Sequence, residues 1–97
     1  MTITPSVQVA RRAGLMTAQV DQDLVVLSLA SNSYLALDPI GRRIWELIET
    51  PHRVDDLSGQ LSREFAGPLE QIQADVIKFL SELERERLLD VEPGQAA

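Results

Sequence analysis

The hydrophobic period of this chain changes once, at Asp38-Pro39, and that change limits its possible folds more than any other feature. Before it, apolar residues alternate or run in short stretches. After it they recur every three or four residues, the spacing that builds helix faces. Strand signals first and helix signals second describe an α+β fold, since an alternating α/β chain would interleave them.

Between Leu15 and Leu37 the chain is rich in Val, Leu and Thr, and two polar stretches, Asp21-Gln22-Asp23 and Ser31-Asn32-Ser33, read as turns. The pattern predicts a three-stranded antiparallel meander over roughly Leu15–Val20, Leu24–Leu29 and Ser33–Leu37. Leu24-Val25-Val26-Leu27 is apolar at consecutive positions, as a strand flanked on both sides would be, whereas Tyr34-Leu35-Ala36-Leu37 is shorter and suits an edge. Upstream, Val7-Gln8-Val9 alternates like a strand, but Arg11-Arg12 and Gly14 follow at once, so residues 1–14 are left unassigned.

Asp38 can cap free amides and Pro39 suits a first helical turn, so the first helix starts there and stops at Thr50-Pro51. Its stripe is Ile40, Ile44, Leu47 and Ile48, with Trp45 flanking. A second helix is expected from about Val54 to Phe65, carrying Asp55 and Asp56 in its first turn and a stripe of Val54, Leu57, Leu61 and Phe65. The third, from about Leu69 to Arg87, lines up Leu69, Ile72, Val76, Leu80 and Leu83, with Phe79 and Asp75 on one side and Ile77 and Leu88 on the other. That apolar arc is wider than one packing neighbour requires. The order is that of a winged-helix-like fold with its sheet placed first: a three-stranded meander, then three helices. Leu88-Leu89-Asp90-Val91 can add a short strand, giving a domain over residues 15–91 and a flexible tail over 92–97. Ninety-seven residues hold one hydrophobic core and leave no room for a second.

The chemistry of catalysis is absent. With no cysteine there is no thiolate nucleophile, disulfide or thiolate metal site, and a reducing, cytoplasmic setting fits. The one histidine, His52, sits in what reads as a solvated turn, and the carboxylates lie on polar helix faces where solvation accounts for them. The five glycines are scattered singly and form no phosphate-cradling loop. The chain is therefore not expected to be an enzyme, nor to hold a metal or cofactor. A net charge of −6 and a third helix that opens on Glu70 and Asp75 without a base argue against nucleic acid, despite Arg11-Arg12 and Arg42-Arg43. No apolar run approaches the ~20 residues that span a bilayer, and Met1–Ala10 lacks a signal-peptide core. What remains is an edge strand beside an over-wide apolar helix. That pair suits addition of a guest strand, or pairing of the same edge with the chain's own end or with a second copy.

The run Ser33-Tyr34-Leu35-Ala36-Leu37-Asp38-Pro39-Ile40-Gly41-Arg42-Arg43-Ile44-Trp45-Glu46-Leu47-Ile48 resembles the PqqD-like family, also called RiPP recognition elements. The likeness continues through Val54-Asp55-Asp56-Leu57, Leu61, Glu64-Phe65, Asp75-Val76, Phe79-Leu80, Leu83 and Leu88-Leu89, covering roughly Leu24 to Val91. The resemblance implies a domain that binds the leader of a ribosomally made precursor peptide as an extra strand on its third strand, against its third helix. The guest would lie along Tyr34, Leu35, Ala36 and Leu37 and meet Ile72, Asp75, Val76, Lys78 and Phe79. Asp75 could pair with a basic leader residue or simply solvate the helix. Stand-alone relatives serve lasso-peptide assembly, where a separate leader peptidase and macrocyclase use the bound precursor, or the pathway to pyrroloquinoline quinone. Leu37-Asp38 where Leu-Asn is usual, and Arg87-Leu88-Leu89 in place of a glycine-tryptophan close, lean toward the lasso branch. The alternatives are another peptide pathway and a structural or regulatory subunit that forms a homodimer through the edge strand.

Overall fold

The computed structural model describes residues 3–92. Nine elements follow one another: β1 (Gln8–Arg11), β2 (Met16–Val20), β3 (Asp23–Ser28), β4 (Ser33–Leu37), α1 (Pro39–Leu47), β5 (His52–Arg53), α2 (Val54–Phe65), α3 (Leu69–Arg85) and β6 (Leu89–Glu92). The fold is α+β, and the meander followed by three helices stands where the sequence puts it. A tight turn joins β2 to β3, with Asp21 at a positive φ of 55°, the backbone twist that two-residue hairpins favour. The β3–β4 register sets Leu24 against Leu37 and Val26 against Leu35 on the inner face, and Val25 against Ala36 and Leu27 against Tyr34 on the outer face.

A second antiparallel sheet, in the order β5-β1-β6, lies beyond the expectation. The segment left unassigned before Leu15 supplies its central strand, and Ile3, Val7 and Val9 are buried in the core. Its three strands are four residues or fewer, and β1 meets β6 across most of the chain, with Gln8 opposite Glu92. Period alone cannot announce such strands. The domain therefore begins before the expected boundary at Leu15, and Glu92 closes β6; the rest of the expected tail lies outside the described residues. His52, expected in a turn, belongs to β5, pairs with Val9 and has its Nδ1 2.8 Å from the Thr50 carbonyl oxygen.

Two of the basic residues that raised the nucleic-acid question hold this scaffold together. Arg11 donates from Nε to the Trp45 carbonyl at 2.7 Å, and its guanidinium lies 4.9 Å from the Trp45 ring centroid. Arg43 binds Glu64 in bidentate fashion at 2.8 and 3.0 Å, tying α1 to α2. That contact holds the Glu64 carboxyl well below its usual range, at about 2, through hydrogen bonds first from Arg43 and then from Gln60. On α1 the buried face is Gly41, Ile44, Trp45 and Ile48, so Trp45 takes the core place expected for Ile40, and Ile40 lies half-exposed. α3 ends two residues before the expected Arg87. Arg87 adopts a left-handed φ of 61°, its N–H donates to the Glu84 carbonyl and the Leu88 N–H to the Leu83 carbonyl, closing a Schellman motif. Among the described residues no helix is long and apolar enough to cross a membrane.

Candidate functional site

β4 is an outer strand of its sheet, paired with β3 alone. No turn, loop or cap hydrogen bond reaches the backbone of Ser33–Leu37 among the described residues, so its free edge keeps unpaired donors and acceptors. The alternation of the strand divides the four expected guest-contact residues. Leu37 is a core residue at 2% exposure and Leu35 is half-buried beneath the strand, while Tyr34 and Ala36 point from the opposite face, Tyr34 being 70% exposed. Along this edge the backbone and Leu35 are what an incoming strand would meet.

Where β4 ends, the first turn of α1 begins. The Asp38 Oδ1 accepts from the Gly41 N–H at 2.7 Å, capping the helix, and Pro39 fills a position whose amide would have no partner. Glycine at 41 leaves α1 without a Cβ where the Phe79 side chain of α3 reaches it, and the edge of that ring occupies the space. Beside this contact opens a cavity of about 190 Å³. One wall is α1, with Ile40, Gly41 and Ile44; a second is the end of α2, with Leu61 and Phe65; the third is α3, with Ile72, Asp75, Val76 and Phe79. Asp38 stands at the end nearest β4.

The structure thus brings together four of the five expected residues of α3. Val76 forms the buried floor, Ile72 and Phe79 are half-buried walls, and Asp75 is exposed and accepts from the Gln71 side chain at 3.2 Å. Lys78 is exposed, does not line the cavity and makes no ion pair among the described residues. Ile40, Gly41, Ile44, Leu61 and Phe65 complete the walls without having been singled out for the site. Ile40 and Phe65 lie on the core stripes of their own helices, yet both are half-exposed and border this cavity. Gly41 inside an amphipathic helix was the one available signal of a close helix approach.

Among the described residues no cluster of His, Asp or Glu is arranged to hold a metal ion. The arrangement offers an unpaired strand edge followed at once by Asp38 at a largely apolar cavity, a combination that can bind an extended peptide.

Comparison with known proteins agrees with that geometry. TbiB1, solved in complex with the TbiA(beta) leader peptide, is 28% identical, with 93% of this chain and 95% of that chain covered and a TM-score of 0.68. The PqqD truncation of Methylobacterium extorquens PqqCD, described as a functional and stand-alone RiPP recognition element, shares the fold at a TM-score of 0.77 and 18% identity, over 92% of this chain and 95% of that one. No curated protein matches the chain. The family model for coenzyme PQQ synthesis protein D matches residues 23–89, well over half of the chain, from the first residue of β3 to the first of β6. The protein belongs to the PqqD family and has the fold of its RiPP recognition elements.

Proposed function

We propose that this protein binds the leader of a ribosomally made precursor peptide as a fourth strand on β4 and presents it to separate enzymes, without catalysing a reaction itself. The observation that carries the reading is a free β4 edge followed directly by Asp38, which lines the cavity between α1, α2 and α3. TbiB1, which shares 28% of its sequence, binds a leader peptide, and this supports the same kind of guest here.

The energetics assign the parts different roles. A five-residue edge offers about three outward backbone hydrogen bonds, each worth roughly 1 kcal/mol net. Micromolar binding requires about 8 kcal/mol. The larger share must therefore come from guest side chains on the apolar surface, where burial contributes about 25 cal/mol per Å². Backbone pairing fixes register, and the cavity reads the side chains. The loss of the usual asparagine at Asp38 and of the glycine-tryptophan close at Arg87-Leu88-Leu89 favours lasso-peptide assembly, with a leader peptidase and a macrocyclase as the recipients.

The test is Ala36→Pro, at an exposed position opposite Val25, which removes an edge amide and crowds the incoming strand. With the leader of a candidate precursor peptide, labelled for fluorescence polarisation, the native protein should bind saturably and the variant at least tenfold more weakly. Equal binding by a variant that melts normally overturns strand addition.

A further inference from the structure

The cavity has a charge pattern that the apolar description leaves out. Its lining holds two carboxylates, Asp38 and Asp75, and no basic group. Each engages one oxygen: the Asp38 Oδ1 accepts from the Gly41 amide and the Asp75 Oδ1 from Gln71. No hydrogen bond reaches the Oδ2 of either, and neither forms an ion pair among the described residues. Elsewhere in the molecule Arg12 binds Asp90, Arg43 binds Glu64 and Arg53 binds Asp55. Arg42, next to Gly41 on α1, pairs with Glu46 one turn later at 4.0 Å and does not line the cavity.

We infer that the cavity is a subsite for a basic side chain, Lys or Arg, of the guest peptide. The inference rests on the peptide-binding reading above and gives it a specificity. A stem of three or four methylenes fits an apolar cavity of this size, between Phe79, Ile72 and Val76, and brings its cationic head to the carboxylates at the rim. A neutral aliphatic side chain would fill the walls and leave both charges unanswered. A guest carboxylate would be repelled. The two acids contribute unequally. Asp38 sits at the N-terminus of α1, where the helix dipole already offsets part of its charge, while Asp75 lies inside α3 and has no such compensation. Asp75 is the dominant specificity residue, and the head group belongs on its side of the rim. The subsite lies just beyond the C-terminal end of β4, so the basic residue stands outside the strand-paired segment of the guest.

Side-chain analogues test this without requiring the natural guest. The intact protein is titrated by ¹H–¹⁵N NMR with n-pentylammonium chloride, 1-pentanol and sodium pentanoate in about 0.15 M salt, where fields of distant charges are screened within ~8 Å. The amides of Gly41 and Val76 report. The expected result is a midpoint for pentylammonium at least threefold below that for pentanol, with pentanoate weakest. Asp75→Asn, an exposed and nearly isosteric change, should bring pentylammonium to the pentanol value and leave pentanol within twofold. Equal midpoints in the native protein, no shift at Gly41 and Val76, or a cation preference that survives Asp75→Asn overturns the subsite. Ala36→Pro does not touch this cavity, so failure of strand addition would show in leader binding while the analogue titration stood unaffected.

Discussion

The Phe79 Cε1 lies 3.0 Å from the point where a Cβ on Gly41 would stand, so the ring of α3 rests directly on the backbone of α1. An alanine at 41 has better helix propensity by about 1 kcal/mol, but its methyl group collides with that ring and with the Asp38 carboxylate at 3.1 Å. The ring borders a cavity and can swing into it. Gly41→Ala should therefore leave the thermal midpoint within about 4 °C of the native value and lower leader affinity at least tenfold, read by circular dichroism and fluorescence polarisation. Unchanged affinity would mean that the cavity does not contact the guest.

Adjacent residues on α3 should separate stability from binding. Leu80 is fully buried, and Leu80→Ala should cost about 2–5 kcal/mol in denaturant unfolding. Phe79 is half-buried against open space, so Phe79→Ala should cost less than Leu80→Ala in folding. It should also weaken leader binding at least tenfold. The reverse ranking in stability would place Phe79 in the core and not in the groove.

Arg87 holds a left-handed conformation with an exposed side chain that makes no ion pair among the described residues. A non-glycine residue there costs roughly 1–2 kcal/mol, partly offset because glycine gains more freedom in the unfolded chain. Arg87→Gly should stabilise the domain by about 1 kcal/mol, raising its melting midpoint by roughly 4–8 °C. Scanning calorimetry at neutral pH decides it, and a lower midpoint would show that the arginine side chain holds something in place.

The Arg43–Glu64 contact makes stability pH-dependent in one direction. Glu64 has a folded pKa near 2 against an ordinary 4.5, so the folded state holds the carboxylate more readily than the unfolded chain does. Its contribution is present above about pH 4.5 and is lost as pH falls toward 2. Glu64→Gln should thus melt earlier than the native protein at pH 6, and the difference should shrink to nothing near pH 2. A difference that stays constant across that range would assign the effect to packing.

The meander and the three helices were legible because each carries its own period: Leu24–Leu27 for the central strand, Val54, Leu57 and Leu61 for α2. The β5-β1-β6 sheet was not, since two to four residues per strand give no period and its pairing is set by tertiary contact. The same division runs through the site. Ile72, Val76 and Phe79 lie on one helix's wide apolar arc, and it was the family resemblance that set them and Asp75 beside a guest, but Phe65 and Ile40 look like core in their own helices. Only the packing of three helix ends shows that they border a cavity. Leu37 shows the converse: its neighbours form the edge, yet its side chain is core.

The antiparallel match of Gln8 with Glu92 brings the first and last strands of the described domain to one place. A host protein could carry the whole module as an insertion at a single surface loop, because entry and exit would be neighbours. During synthesis the same pairing imposes a delay, because β1 emerges first and waits for β6, the last strand made. At about 5–20 residues per second that interval lasts some seconds, during which the meander can form but the second sheet cannot close.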